Sequence, residues 1–139
     1  MPNVVFNSPN DNVAAKTKNV EKALSNRAVV LIWASWCHHC VSMRNDWDKV
    51  KKDLSGDGID FVEIESVNIE RLGQENPKLM YKLTQSKLYF PMIKLASDNK
   101  LKEYSNDRTY ESMKKSFKSI KPPKPKPAKK APVKSPKNT

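Results

Sequence analysis

The feature that most constrains the fold is a run of seven apolar residues, Ala28 to Ala34, which reads AVVLIWA. The run is rich in β-branched side chains and carries no polar residue at either of its alternating positions, which is typical of a strand buried on both faces of a sheet. It is too short for a membrane-spanning helix, which needs roughly 20 residues. The run therefore predicts a sheet with helices packed on both sides.

Patterns on either side of this run predict alternating strands and helices. Residues 3–6 and 59–66 read as strands, and the segments FPMIKLA and KLKEY, separated by SDN, read as a hairpin. Apolar residues recur at helical spacing over residues 11–25, along Met43, Trp47, Val50 and Leu54, and along Tyr110, Met113, Phe117 and Ile120. Asp11 or Asn12 is the expected N-cap of the first of these helices. A short helix is also predicted over residues 76–84, with Asn76 as its cap and Pro77 at its first position. The order β-α-β-α-β-α-β-β-α predicts an α/β domain with a mixed central sheet and helices on both faces.

Residues 121–139 have a composition of their own, with seven lysines, six prolines, and neither an acid nor an aromatic residue. This tail carries +7 of the net charge of +11, which leaves about +4 for residues 1–120. A segment with so few apolar residues cannot bury a core. Residues 1–120 are therefore predicted to form one domain, followed by a disordered basic tail over 121–139.

The charge of the tail predicts electrostatic binding to nucleic acid, with strong salt dependence. Sequence specificity is not expected, because the tail has no aromatic residue to stack on bases and no arginine to pair with guanine. The same charge suits a nuclear-localisation signal or an anionic membrane surface, and a merely solubilising tail is the remaining alternative. The lysines concerned are Lys121, Lys124, Lys126, Lys129, Lys130, Lys134 and Lys137.

The first residues, MPNVVFNSPNDN, lack the charged and apolar regions of a secretory signal. The chain is therefore expected to stay in a reducing compartment such as the cytoplasm. In such a compartment a lone pair of cysteines is more often catalytic or metal-binding than a structural disulfide.

Both cysteines and both histidines of the chain occupy consecutive positions, Cys37, His38, His39 and Cys40, directly after the apolar run. A helix that begins here offers unpaired N–H groups and the positive end of its dipole to a thiolate. Cys37, at the helix start, is the expected nucleophile, and Cys40, one turn later, is expected to resolve the mixed disulfide. Protonated histidines stabilise the thiolate form, which predicts a site that donates disulfides.

Two other interpretations of the motif stay open. The same four side chains are suitable metal ligands, but they diverge at a helix start, so a tetrahedral site would need a second subunit. The cysteines could also be inert buried thiols. The sequence favours the redox site, which implies no organic cofactor and no bound metal.

Two stretches of the chain resemble the thioredoxin-fold family, and among its members most closely the protein disulfide isomerase domains. One is VVLIWASWCHHC, and the other is YFPMIKLASDNKLKEYSNDRT at residues 89–109. The resemblance covers about residues 3–120. It implies a thiol–disulfide oxidoreductase whose partners are protein thiols and disulfides, and a thiol oxidase or reductase that regenerates it.

The resemblance also implies roles for single residues. Pro91 matches the family's cis-proline beside the dithiol, and Arg108 matches an isomerase arginine that lowers the pKa of the second cysteine. Trp36 and Phe90 are implied to shape the substrate groove.

The chain departs from the family pattern at two positions. His39 matches the histidine of the isomerase sequence C-G-H-C, but His38 stands where the family has glycine. Leu31 stands where the family has a buried acid that moves protons to and from the second cysteine. Glu63, on the next predicted strand, is the candidate to replace that acid.

The composition suggests an AT-rich genome, since the chain has 22 lysines and 4 arginines. Together with the redox motif it resembles the thioredoxin-like proteins of large DNA viruses, which would place the protein in the host cytoplasm or the virion. The alternative function is a nucleic-acid-binding or packaging protein on the same scaffold, with the dithiol secondary.

Overall fold

A computed structural model of the chain describes residues 3–8 and 10–123. Its centre is a five-stranded sheet in the order β1-β3-β2-β4-β5. The strands are β1 (Val4–Phe6), β2 (Arg27–Trp33), β3 (Asp60–Glu65), β4 (Met92–Ser97) and β5 (Lys100–Glu103). β1, β3 and β2 are parallel, whereas β4 is antiparallel to β2, and β5 is antiparallel to β4. The predicted mixed central sheet is confirmed.

Helices cover both faces of this sheet, also as predicted. The described residues form α1 (Val13–Ser25), α2 (His38–Ser42), α3 (Arg44–Leu54), α4 (Ile69–Glu75), α5 (Pro77–Thr84) and α6 (Tyr110–Lys118). Apolar residues of α1, α4 and α5 pack into one core, and those of α3 and α6 pack into a second core across the sheet. Short 3-10 turns at Ser55–Asp57 and Ser66–Asn68 flank β3.

The central strand β2 is buried on both faces, as its apolar composition predicts. Val30 and Ile32 belong to the core beneath α1, and Val29 and Leu31 belong to the core beneath α3. Each of these side chains is at most 1% exposed.

The elements differ from the predicted order at two points. The helix after the cysteines is interrupted at Met43, so that it forms α2 and α3, although its predicted apolar stripe is buried. Helix α4 is an addition, because its sequence IERLGQE contains too few apolar positions to show a stripe.

Strand β3 shows why alternation alone was a poor guide to burial. Its sequence alternates, yet all six of its residues are buried. Because helices cover both faces, Asp60, Glu63 and Glu65 are enclosed together with the apolar residues.

The topology defines two opposite edges of the sheet. The parallel strands β2 and β3 end at one edge, and the antiparallel strand β4 begins there, next to Pro91. At the other edge, Arg27 at the start of β2 pairs with Ser97 at the end of β4.

The basic tail begins at this second edge. Arg27 Nε donates to the carbonyl of Ile120 at 2.9 Å, and the Ser97 hydroxyl donates to the carbonyl of Lys121. Lys121 is exposed, whereas the other six tail lysines and the predicted disorder lie outside the described residues. Within the described part of the chain, no helix is both long and apolar enough to cross a membrane.

Candidate active site

Cys37 lies in the turn that leads from β2 into α2. Its N–H donates to the carbonyl of Ala34 at 3.1 Å, and its Sγ accepts the N–H of Cys40 at 3.2 Å. The sulfur is thus the N-cap acceptor of α2, at the end of the helix where N–H groups are unpaired. The turn and the first turn of α2 thus fix the position of this sulfur.

The two cysteines, both free thiols, differ in access to solvent. Cys37 is 8% exposed and Cys40 is 1% exposed. They form a small cluster with Ala34, against which Trp33 and Phe90 pack. Cys37 is therefore the more exposed of the two thiols, and Cys40 is enclosed.

The pKa of the Cys40 thiol is raised to about 12. Burial is the main cause, and the hydrogen bond with Cys37 and the negative charge of that sulfur raise the pKa further. A backbone hydrogen bond with Ala34 and the positive charge of Arg108 lower it in part. Cys40 is consequently a neutral thiol at physiological pH.

The two histidines do not converge with the sulfurs. His38 and His39 are both exposed, with their rings 5.8 Å apart and edge to face, while both cysteines are buried. Across residues 3–8 and 10–123, no three or more His, Cys, Asp or Glu side chains are placed to hold a metal ion.

Phe90 lies beside the dithiol, and it contacts Trp36 in space and precedes Pro91 in the chain. The Trp36 and Phe90 rings meet edge to face, with centroids 5.3 Å apart. Trp36 is 73% exposed, and Phe90 packs against the cysteine cluster. The peptide bond between Phe90 and Pro91 is cis.

Arg108 is exposed in the loop between β5 and α6. Its charge contributes the smallest of the five effects on the pKa of Cys40. The arginine therefore acts on the buried thiol through its electric field alone.

Leu31 and Glu63 are directly opposite each other on β2 and β3. The Glu63 carboxylate accepts hydrogen bonds from Arg44 at 2.8 Å, from Trp47 Nε1 at 3.1 Å and from Lys51 at 2.5 Å. Burial alone would raise the pKa of Glu63, but Lys51, Arg44 and Trp47 together bring it below its usual 4.5. A carboxylate that stays ionised is a poor proton carrier, and these bonds direct Glu63 towards α3 rather than towards Cys40.

Sequence reasoning missed several residues that shape this region. The Arg44 guanidinium lies 4.9 Å from the ring centroid of Trp33, which in turn packs on the cysteines. Glu65 accepts the N–H of Ser35 at 3.3 Å and thereby ties the end of β3 to the loop that carries the motif. The spacing of the sequence carried no signal for these contacts, because both are made across the fold.

Comparison with known proteins also points to the thioredoxin-fold family that the sequence resembles. A family model described as thioredoxin matches residues 11–119. Protein disulfide isomerase-like 1-4 of Arabidopsis thaliana is 28% identical over 105 residues, which cover 74% of this chain and 16% of that protein. The chain thus spans a small part of the curated relative that it matches.

Solved structures agree on the fold. The first two thioredoxin domains of Naumovozyma dairenensis Eps1p match with a TM-score of 0.54 and 23% identity, over 72% of this chain and 37% of that chain. Fasciola hepatica thioredoxin matches with a TM-score of 0.56 and 15% identity, over 78% of this chain and 94% of that chain. At these identities the structural likeness supports the fold and nothing finer.

The family match spans the whole sheet except β1, both helical layers and the motif from Cys37 to Cys40. The chain has the thioredoxin fold and belongs to the thioredoxin family of thiol–disulfide oxidoreductases.

Proposed function

We propose that the protein exchanges disulfides with protein substrates through Cys37 and Cys40, and that it donates or rearranges disulfides rather than removing them. The observation that carries this proposal is the asymmetry of the pair. Cys37 Sγ caps α2 and belongs to the more exposed of the two cysteines, whereas Cys40 is enclosed and neutral.

Donation proceeds in two exchanges. A substrate thiolate attacks Cys37 Sγ of the oxidised protein, the bond between the two cysteines breaks, and Cys40 leaves and takes up a proton. A second substrate thiolate then attacks the substrate sulfur of the mixed disulfide and releases Cys37. Two substrate thiols are oxidised to a disulfide, and the protein is left as a dithiol that a thiol oxidase must reoxidise.

The neutral Cys40 favours rearrangement of substrate disulfides. A thiol with a pKa of about 12 is rarely a thiolate near neutral pH, so it returns slowly to attack the mixed disulfide. A substrate held on Cys37 therefore has time to exchange its own thiols. The positive charge of Arg108 opposes this delay in part, because it lowers the pKa of Cys40.

A redox titration of the pair in glutathione buffers tests the direction of transfer. A midpoint near or above roughly −200 mV is expected for a donor or isomerase, and a midpoint near roughly −270 mV would mean a thioredoxin-like reductant. The Cys40→Ser variant, which cannot form the internal disulfide, provides the baseline.

The roles of the two cysteines are tested by trapping. Cys40→Ser should accumulate mixed disulfides with substrate proteins, because nothing resolves them, and Cys37→Ser should accumulate none. The two variants make the same chemical change three residues apart, so an equal yield of trapped complexes would contradict the assignment of Cys37 as nucleophile.

We further propose that the basic tail binds nucleic acid and that the domain remains free to exchange disulfides meanwhile. The tail leaves the domain at the sheet edge marked by Arg27 and Ile120, opposite the edge that carries Cys37. The seven residues of β2 separate these edges by about 20 Å, at about 3.3 Å per residue. A polyanion bound where the tail begins would therefore leave the dithiol uncovered.

Binding of duplex DNA by the full chain should weaken steeply with salt, and replacement of the seven tail lysines by glutamine should remove most of that dependence. If the biological role survives Cys37→Ser but not loss of the tail lysines, the packaging alternative is correct. A location in the cytoplasm or a virion stays a prediction of the sequence.

A further inference from the structure

The positive charge of the folded domain is concentrated in its last quarter. Residues 1–91 contain 12 lysines and arginines and 11 acids, which is a net charge of +1. Residues 92–120 contain seven lysines and arginines and four acids, which is a net charge of +3. The excess of lysines that marks the tail therefore begins within the domain, on the elements that precede the tail.

Two of these lysines lie side by side on the edge strand β5. Lys100 and Lys102 are two residues apart, so they share one face of the strand and are separated by about 7 Å along it. Leu101 between them packs on the core beneath α1, and Leu95 opposite Lys102 packs on the core beneath α6. Both lysines are exposed, and they lie on the side of the sheet that carries α6.

The end of α6 and the start of the tail bring two more lysines to this place. Lys121 lines the same groove as Lys100 and Lys102, and its carbonyl accepts the hydroxyl of Ser97 on β4. Lys118 is exposed in the last turn of α6, three residues before Lys121. We call Lys100, Lys102, Lys118 and Lys121 the basic face.

Within the described part of the chain, the amines of the basic face are not neutralised by acids. None of the four lysines has a carboxylate within 4.0 Å, whereas Lys114 on α6 pairs with Asp53 at 3.2 Å. Asp98 is the one carboxylate among the described residues that line the groove. Glu103 lies on the other face of β5. Four positive charges beside one acid attract a polyanion.

The surroundings of the basic face suit the phosphates of a nucleic acid better than a lipid surface. A protein that lies in a membrane interface presents large apolar side chains beside its cations. Among the described residues, no exposed large apolar side chain lies between 92 and 123. Lysines act on phosphates as point charges, so neighbouring lysines can contact successive phosphates of one strand.

We propose that the basic face is the folded part of a nucleic-acid-binding surface that continues into the tail. This inference rests on the proposed binding by the tail and adds to it a fixed contact with the domain. Lys100 lies opposite Ser97, at the edge of the sheet where β4 ends and β2 begins. A bound strand is therefore held against β5 and the end of α6, at the end of the domain opposite the dithiol.

The test measures the affinity of the full chain for a short DNA duplex over a range of salt concentrations. Lys100→Gln/Lys102→Gln/Lys118→Gln, called the face variant, should reduce the slope of log K against log salt by about two to three, because each lost phosphate contact removes about one. Lys121 is left unchanged in this variant because it also belongs to the tail.

The same substitutions are then made in the chain whose seven tail lysines are glutamine. That chain should keep a residual slope of about two to three, and the three further substitutions should remove it. The matched control is Lys18→Gln/Lys49→Gln/Lys78→Gln, which removes the same charge from exposed positions on α1, α3 and α5. It should leave the slope nearly unchanged.

Three results would overturn the inference. The face variant could keep the slope of the wild type, or the control variant could lose as much slope as the face variant does. The face variant could also bind DNA normally and lose binding to vesicles of phosphatidylserine and phosphatidylcholine, which would assign the basic face to a membrane. A slope that is unchanged by loss of the tail lysines, yet reduced in the face variant, would instead overturn the proposed role of the tail.

Discussion

Two titratable groups of this protein are equally buried, but their pKa values are shifted in opposite directions. Cys40 and Glu63 are each 1% exposed. Burial raises the pKa of Cys40 to about 12, yet Glu63 has a pKa below its usual value. The difference lies in their neighbours, because Glu63 accepts hydrogen bonds from two cations and an indole, whereas Cys40 is surrounded by apolar groups and the other sulfur.

Arg44 connects the two regions. It lies four residues after Cys40 in the chain, but its guanidinium pairs with Glu63 and stacks on Trp33. Among the lysines and arginines, Arg44 is the nearest to Cys40 in the sequence, but it pairs with Glu63 and not with the thiol. Burial sets the direction of a pKa shift only where no charged partner is supplied.

The largest expected effect concerns the region of Cys40. In the Cys37→Ser variant, alkylation of Cys40 by iodoacetamide should accelerate about tenfold per pH unit, and so about a thousandfold from pH 7 to pH 10, because burial still keeps the thiol neutral. Mass spectrometry of quenched samples measures the rate. A plateau below pH 9 would show that burial does not govern this thiol.

Breaking the cluster around Glu63 should have the next largest effect. Glu63→Gln should lower the free energy of unfolding by about 3 kcal/mol, because it leaves Arg44 and Lys51 without their buried counter-ion. The loss should be present above pH 4.5, the usual value for a glutamate, and should vanish as the pH falls through the lowered pKa. Urea unfolding at several pH values measures both.

The control for that variant is Asp48→Asn, which removes an exposed partner of the same arginine, 3.6 Å away. It should cost less than about 0.5 kcal/mol. Glu63→Gln should also leave the pH profile of Cys40 alkylation unchanged, and a shifted profile would instead identify Glu63 as the proton carrier that replaces the acid missing at Leu31.

Asp60 is a second buried carboxyl on β3. Its pKa is shifted in the same direction as that of Cys40 and not in the direction of Glu63. It is 2% exposed, and its Oδ1 has no hydrogen-bond partner within the described chain. Burial raises its pKa above the usual 3.8, and the positive charge of Lys22 opposes this only in part. A raised pKa means that ionisation costs stability as the pH rises above 3.8.

Asp60→Asn should therefore gain stability relative to the wild type as the pH rises, by about 1 kcal/mol at neutral pH, since a buried amide costs less than a buried charge. Urea unfolding near pH 3 and near pH 7 measures this. An equal difference between the two proteins at both pH values would contradict the explanation.

The smallest effect is expected from Arg108, whose charge makes the smallest contribution to the pKa of Cys40. Arg108→Gln should slow the attack of Cys40 on a mixed disulfide of Cys37 with glutathione by about two- to threefold. Stopped-flow decay of that mixed disulfide measures the rate. Arg108→Lys should restore it, and a failure to do so would mean that the arginine acts through its shape rather than its charge.

Local patterns were enough for most of the fold. The apolar run of β2, the stripes of α3 and α6, and the turn at Asp98 and Asn99 all follow from the spacing and conformational preferences of neighbouring residues. The side chains of Asn12 and Asn76 accept the N–H groups of Ala15 and Leu79 and so cap α1 and α5, a role that asparagine often takes at the start of a helix. These features could be predicted because each depends on residues close together in the chain.

The environment of Glu63 could not be predicted in this way. Its spacing marks it as a strand residue, but its partners Arg44, Trp47 and Lys51 come from a helix 12 to 19 residues away in sequence.

The sequence by itself determined the chemistry that is available: two cysteines one helical turn apart after a buried strand, with a basic tail downstream. The tertiary structure alone decided which thiol is the more exposed and in which direction the pKa of each buried acid is shifted. The physical reason is that side-chain chemistry and periodicity are local properties. Burial and charge pairing depend on contacts that exist only once the strands and helices have packed together.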